Sequence, residues 1–307
     1  MFRNLRFYRL NSPWPETEQA LSELLSEKVF TPCSAYSERS AGWEPPAGEE
    51  QALLCRRLAG ADLVQLRTQT RILPAAAVKE ALEERVAEYR ARMEQEPPPG
   101  ELRRLKEQTR DQLVPKALVK SDRTRACFIQ AESLLAIDTA TTAGAEWLLD
   151  HLRHCLGQFQ CVPLAFSQSP VALLTRIFLG QRVDRFSLGR ECRMQDQTDS
   201  KSIATWRDID LDDPTIHKHV TEGMKLTHLG IVYDEIMSCV LSADATVGKI
   251  KFLEGEAVDT VDGEDPLVRL DADFVLLSGT IRRLFEDLET LLGTVGTVGS
   301  ESGARVG

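Results

Sequence analysis

No stretch of this 307-residue chain approaches the roughly 18 consecutive apolar residues that a membrane span requires. The opening MFRNLRFYRL places an arginine at every third position and has no apolar leader core, so neither secretion nor membrane insertion is expected. The seven cysteines (Cys33, Cys55, Cys127, Cys155, Cys161, Cys192 and Cys239) are odd in number and widely spaced, and none forms a CxxC pair. That excludes a zinc knuckle or dithiol redox motif and points to reduced, cytosolic cysteines used mainly as small buried hydrophobes. Phosphate-cradling GxxxxGK[ST], nucleophile-elbow GxSxG and zinc-binding HExxH motifs are all missing, so nucleotide hydrolysis, acyl transfer and zinc proteolysis have no motif behind them. No cofactor is expected.

What the chain does have is the composition of a folded protein, 42% hydrophobic and 27% charged. Its formal net charge of −10 argues, taken as a sum, against indiscriminate coating of nucleic acid. The distribution matters more. Residues 1–153 carry 22 Lys+Arg against 23 Asp+Glu, whereas residues 154–307 carry 15 against 24, so nearly all the acid excess lies in the second half. The window 101–125 is the most basic, with eight Lys+Arg against four acids.

Hydrophobic periodicity predicts an α+β protein with mixed or antiparallel sheets, packed helices and a projecting helical tip. Strands are expected over 1–10, 63–70, 126–138 (as a pair), 160–166, 225–241 and 249–252, and helices over 17–29, 75–95, 101–113, 143–156 and 216–223. Pro97-Pro98-Pro99 separates the second and third helices into a hairpin. Residues 40–48 read as a loop from their Gly and Pro content, 271–279 as a late strand, and the apolar stripe from Ile281 to Leu292 as the final helix. The expected organisation is a central sheet unit from 1–74 with 126–170, a helical tip over 75–125, a second α+β region over 171–292 and a frayed tail from 293 to 307.

Three constellations could carry chemistry. Asp271-x-Asp273, if on a strand, would point two carboxylates to one face and could hold Mg²⁺ as part of a nuclease; acids at a sheet edge are the commoner reading. Asp208, Asp210, Asp212 and Asp213 form an acidic run expected in a solvated loop or at a helix N-terminus. His217-x-His219 on a helix diverges by about 200° and is not expected to share a metal. The basic window is the remaining candidate, either as a helix face of charge pairs or as a contact for phosphate.

The order of several short motifs resembles the RdgC family along residues 1–292. They are Phe2-Arg-Asn-Leu5 with Tyr8-Arg-Leu10, Phe30-Thr-Pro-Cys33, Gly42-Trp-Glu-Pro-Pro46, Arg71-Ile-Leu-Pro74 leading to Val78-Lys-Glu-Ala-Leu-Glu83, Val114-Pro-Lys-Ala117, Val162-Pro-Leu164 and the run from Arg269 to Gly279. The resemblance implies a non-enzymatic, ring-shaped homodimer whose basic inner wall encircles double-stranded DNA without base readout. It also implies a cytoplasmic, nucleoid-associated protein that limits the RecA recombinase. Arg67, Arg71, Lys79, Lys116, Lys120, Arg123 and Arg125 are the expected lining or tip contacts. Before Asp210-Leu211, where relatives tend to carry a basic and amide run, this chain reads Trp206-Arg-Asp-Ile209, which leaves Arg207 as the match. The readings from other classes are the metal-dependent nuclease at Asp271 and Asp273, and a protein-interaction module that acts on the recombinase through the acidic half.

Overall fold

The computed structural model describes residues 2–48, 52–253 and 265–294. In chain order the elements begin with β1 (Arg6–Leu10), α1 (Glu18–Leu25), β2 (Arg39–Glu44), β3 (Cys55–Leu58) and β4 (Ala61–Ile72). They continue through α2 (Ala75–Met93), α3 (Pro99–Leu113), β5 (Leu118–Ile129), β6 (Leu134–Ile137), α4 (Thr142–Leu156), β7 (Cys161–Pro163) and α5 (Pro170–Phe178). The last are β8 (Phe186–Asp196), β9 (Ile203–Arg207), α6 (Pro214–Thr221), β10 (Met224–Tyr233), β11 (Met237–Ser242), β12 (Val247–Phe252) and α7 (Pro266–Leu292). All named strand pairs are antiparallel, which makes the chain α+β.

The strands form two sheets: one in the order β2-β4-β5-β6-β1-β7, with β3 also paired to β4, and one in the order β12-β11-β10-β8-β9. Period-two alternation sends Val64, Leu66, Leu135 and Ile137 of the first sheet into a core with Trp43 and the apolar stripes of α1 and α4. Leu63, Cys127, Ile129 and Ala136 point the other way, into a second core shared with α5, α7 and the inner face of the five-stranded sheet. The two sheets are also stitched by backbone, since Leu5 and Val247 exchange N–H to C=O bonds of 2.7 and 3.1 Å.

β4 and β5 pair over twelve residues, from Ala61 opposite Ile129 to Ile72 opposite Leu118, and α2 and α3 continue from the end of this long hairpin. α2 stops where Glu94 takes a left-handed conformation, and Pro98 and Pro99 open α3. The expected stripe of Val78, Leu82, Val86 and Tyr89 is half-buried against α3, and across both helices Thr109 alone is buried. This arm is held by helix-to-helix contact and exposed polar bonds such as that from Arg85 of α2 to Gln112 of α3, not by a core.

Two expectations are corrected. Residues 39–44 are not loop but β2, with Trp43 fully buried and Gly42 passing so close to Phe30 that an added Cβ would lie 2.5 Å from its Cα. The glycine that reads as a loop signal serves a close backbone approach inside a strand. Residues 271–279 are not strand but part of α7, whose buried positions Phe274, Leu277, Ile281, Leu284, Leu288 and Leu292 keep helical spacing throughout. The short run Phe-Val-Leu-Leu hides its period, and only its continuation past Ile281 reveals it. β8, β9 and α5 carry no strong signal in the sequence. Of the expected tail, Gly293 and Thr294 are described and the remainder lies outside the described residues.

Candidate nucleic-acid interface

Further along the β4–β5 hairpin, the same alternation that buries Leu63 and Cys127 presents polar side chains. Gln65, Arg67, Gln69 and Arg71 of β4 share that face with Ser121, Arg123 and Arg125 of β5. Arg67 and Arg123 stand directly opposite each other, an arrangement of like charges that is unfavourable unless something lies between them. Glu44 of β2 does. Its carboxylate, only 13% exposed, takes Arg123 Nε at 2.5 Å, Gln65 Nε2 at 2.9 Å and an Arg67 terminal nitrogen at 3.4 Å. Arg67 also lies over the Phe30 ring at 4.4 Å, and Arg125 Nε donates to Gln65 Oε1 at 2.6 Å. Arg67, Arg123 and Arg125, linked through Glu44 and Gln65, thus make a strip of net charge +2, from which Arg71 stands apart.

The other expected contacts are dispersed. Arg71 donates to the carbonyls of Ser34, Ser37 and Ala117 at 2.9, 3.2 and 3.2 Å, tying the loop before β2 to the base of the arm. Lys120 is on the opposite face of β5, toward α4, and pairs with Asp122 at 2.9 Å. Lys79 pairs with Glu83 on α2 at 3.6 Å, and Lys116 is exposed in the turn that follows α3. Arg207 is exposed at the end of edge strand β9, opposite Glu191.

Arg207 belongs to a second basic surface. The inner face of the five-stranded sheet is buried against α5, α6 and α7, while the outer face carries a groove of about 420 Å³ lined by Arg190, Arg207, Lys249, Lys251, Glu191 and Asp208. Its floor combines Gly189 and Gly230 with Val232, Ser238 and Val240. A Cβ on Gly189 would lie 2.6 Å from the Gly230 carbonyl carbon, so the two strands meet there only because neither has a side chain. Lys249 reaches over this floor to Glu191 at 2.5 Å, and Arg190 holds Asp208 at 2.9 Å. Four cations to two carboxylates leave the groove at net +2, and Arg193, exposed between buried neighbours, and the exposed Lys225 extend the same face. His228 titrates below its usual range, chiefly because of burial, with the Arg193 charge adding to the shift and Asp244 opposing it. Lys249-Ile-Lys251 alternates in the sequence, and that is the signal by which this face could have been found.

The acidic candidates resolve differently. Asp271 and Asp273 are on helix α7, where residues two apart diverge, so they do not share a face as the strand reading required. Asp271 is clamped by Arg56 through bonds of 2.9 and 2.5 Å, and Asp273 borders a small pocket beside Arg125 and Phe2. Asp213 caps α6 and is held below the usual carboxylate range by its bonds to Thr215, while Asp208 belongs to the groove. His217 packs on Phe178 and His219 on Trp206, with centroids at 4.8 and 5.0 Å. Among the described residues no three His, Cys, Asp or Glu side chains converge as a metal site would need. Burial pushes the thiols of Cys55, Cys192 and Cys239 up to about 12.

Compared with known proteins, residues 1–295 match a family model described as "Putative exonuclease, RdgC". The chain belongs to the RdgC family. Proteins named "Recombination-associated protein RdgC" from Xanthomonas campestris and Xanthomonas oryzae are 32% and 33% identical to it over 295 residues, covering 95% of this chain and 97% of each relative. One from Stenotrophomonas maltophilia is 32% identical over 292 residues, covering 94% of this chain and 96% of its own length. Membership in RdgC ties the chain to recombination. No helix among the described residues is long and apolar enough to cross a membrane.

Proposed function

We propose that the protein binds double-stranded DNA through its phosphate backbone, without reading bases, as a homodimer that encircles the duplex. In this reading it limits RecA on nucleoid DNA and catalyses nothing. The observation that carries it is the basic groove on the open face of the five-stranded sheet, where Arg190, Arg207, Lys249 and Lys251 surround a shallow floor that includes Gly189 and Gly230. The strip of Arg67, Arg123 and Arg125 on the other sheet offers further phosphate contacts. Guanidinium and ammonium groups can neutralise phosphates, contacts that hold a protein on a duplex and carry no sequence information. A local positive surface on a chain of net charge −10 concentrates potential where a duplex would run. The name of the relatives, recombination-associated, agrees with that substrate.

The test compares a nicked circular duplex with a linear duplex of equal length. An encircling dimer remains on the circle after a high-salt challenge and slides from the ends of the linear form. Equal loss from both would reject encirclement, and no binding to either at low salt would reject the DNA reading. The description of the family as an exonuclease gives a second reading, and the same linear substrate with Mg²⁺ decides it. The proposal expects the ends to stay intact, and progressive shortening would overturn it.

A further inference from the structure

The arm joins the sheet by two short connections: Leu73 and Pro74 lead from β4 into α2, and a single turn at Val114–Lys116 with Ala117 leads from α3 into β5. A few residues at the ends of elements are where a hinge forms. No residue of α2 or α3 belongs to either hydrophobic core, and Thr109 is their one buried position. Among the described residues, a single side-chain link joins these two helices to the rest of the molecule. Arg110 of α3 donates through Nε and a terminal nitrogen to the two carboxylate oxygens of Glu38, the second bond at 2.7 Å. The guanidinium fork matches the carboxylate and holds it below its usual titration range.

Glu38 is fixed in turn from the sheet side. Arg71 donates to the Ser37 and Ser34 carbonyls at 3.2 and 2.9 Å, and its backbone N–H donates to the Glu38 carbonyl at 2.8 Å. Its other terminal nitrogen reaches the Ala117 and Pro115 carbonyls at 3.2 and 3.5 Å, on the segment returning from the arm. Residues 34–38 thus form a strap, pinned by Arg71 and ending in the carboxylate that grips the arm about one turn before α3 ends. We propose that the Glu38–Arg110 pair is a latch that fixes the arm against the seven-stranded sheet, and that its release lets the arm swing about Arg71 and admit a duplex. The inference rests on the encircling reading above and adds the movement by which DNA enters. The contact suits that role because it is weak. Glu38 and Arg110 are 46% and 56% exposed, and an exposed pair shifts an equilibrium by no more than about fivefold, whereas the pivot at Arg71 makes four bonds to carbonyls.

Hydrogen exchange of the full-length protein, read peptide by peptide, tests the latch. E38R and R110E each set like charges face to face, and each should speed exchange about two- to fivefold in the peptides covering 34–39 and 114–118, where the Ser37 and Ala117 N–H groups are bonded. The double variant E38R/R110E should return both peptides to within about twofold of wild type, a rescue that general loosening would not give. Unchanged exchange across β6 establishes that each variant is folded, and if a reversal unfolds the chain E38Q, which keeps the shape and loses the charge, decides. The second measurement is the rate of capture on a covalently closed circular duplex divided by that on a linear duplex of equal length, which can be threaded from its ends. The ratio cancels the change in overall charge, and it should rise about two- to fivefold in both single variants and fall back in the double. Unchanged exchange in the singles, or singles without rescue, would overturn the latch. Faster exchange with an unchanged ratio would overturn its part in admitting DNA. A wild type that binds neither duplex would sink the DNA reading, and the exchange result would still decide the latch.

Discussion

Glu44 is the carboxylate on which the charge of the β4–β5 strip turns, and E44Q keeps its shape while removing its charge. The strip would pass from net +2 to net +3, with Arg67 and Arg123 no longer neutralised by the carboxylate between them. Two effects of opposite sign follow. Folding should lose about 1–3 kcal/mol, because like charges directly opposite on paired strands repel and a charge-assisted bond to a mostly buried group becomes neutral. The lower half of that range is expected, since Arg123 is half-exposed and solvent screens it. DNA affinity should rise. One further cation available to phosphate steepens the dependence of log affinity on log salt by up to about 0.9. The assay is fluorescence anisotropy with a labelled duplex across salt concentrations, paired with a thermal melt. E44Q that melts earlier yet binds with unchanged affinity and slope would show that this strip is not on the DNA path, and weaker binding by a folded variant would refute the reasoning outright.

The groove should respond in the reverse sense: the double charge reversal R207E/K251E is expected to reduce affinity by tenfold or more at about 0.1 M salt and flatten the salt slope by roughly 0.9 per lost phosphate contact. Normal binding by the folded variant would remove the groove from the interface. Asp62 is fully buried and holds Arg57 at 2.6 and 2.8 Å, Trp14 at 2.8 Å and Gln130 at 3.1 Å, so D62A should cost about 3–5 kcal/mol in a denaturant melt by leaving Arg57 without its partner. A loss below 1 kcal/mol by that assay would mean that the network adds little. His228, depressed by burial, takes up a proton more readily in the unfolded chain, so its contribution to stability is present above its ordinary value of 6.5 and declines as pH falls below it. H228N should show a flatter stability profile between pH 7 and 5, and an unchanged slope would reject that role.

Much of the fold is legible because its periods are long. α2 and α3 announce themselves by composition and the prolines between them, and β10 to β12 by alternation. What stays hidden is where local signals mislead: Gly42 inside β2, and the apolar run of α7 too short to show its period before Ile281. The site follows the same logic. Arg123 and Arg125 carry odd residue numbers on β5 and Lys120 an even one, so strand geometry separates them onto opposite faces. A reading that keeps residues 101–125 in a helical tip has no means of seeing that. Arg71 matches the expected basic pattern but is bonded to four backbone carbonyls, a fate that residue type alone does not reveal. Lys249 and Lys251 are obscured by the acid excess of the second half, since charge totals do not say which face of a sheet carries them.

The most direct test of phosphate-backbone binding is anisotropy of the wild-type protein with two labelled duplexes of unrelated sequence, titrated from low to high salt. The expected result is the same affinity for both, falling with salt at a log–log slope of about −0.9 for each phosphate neutralised. Strong preference for one sequence, or affinity that is indifferent to salt, would contradict it.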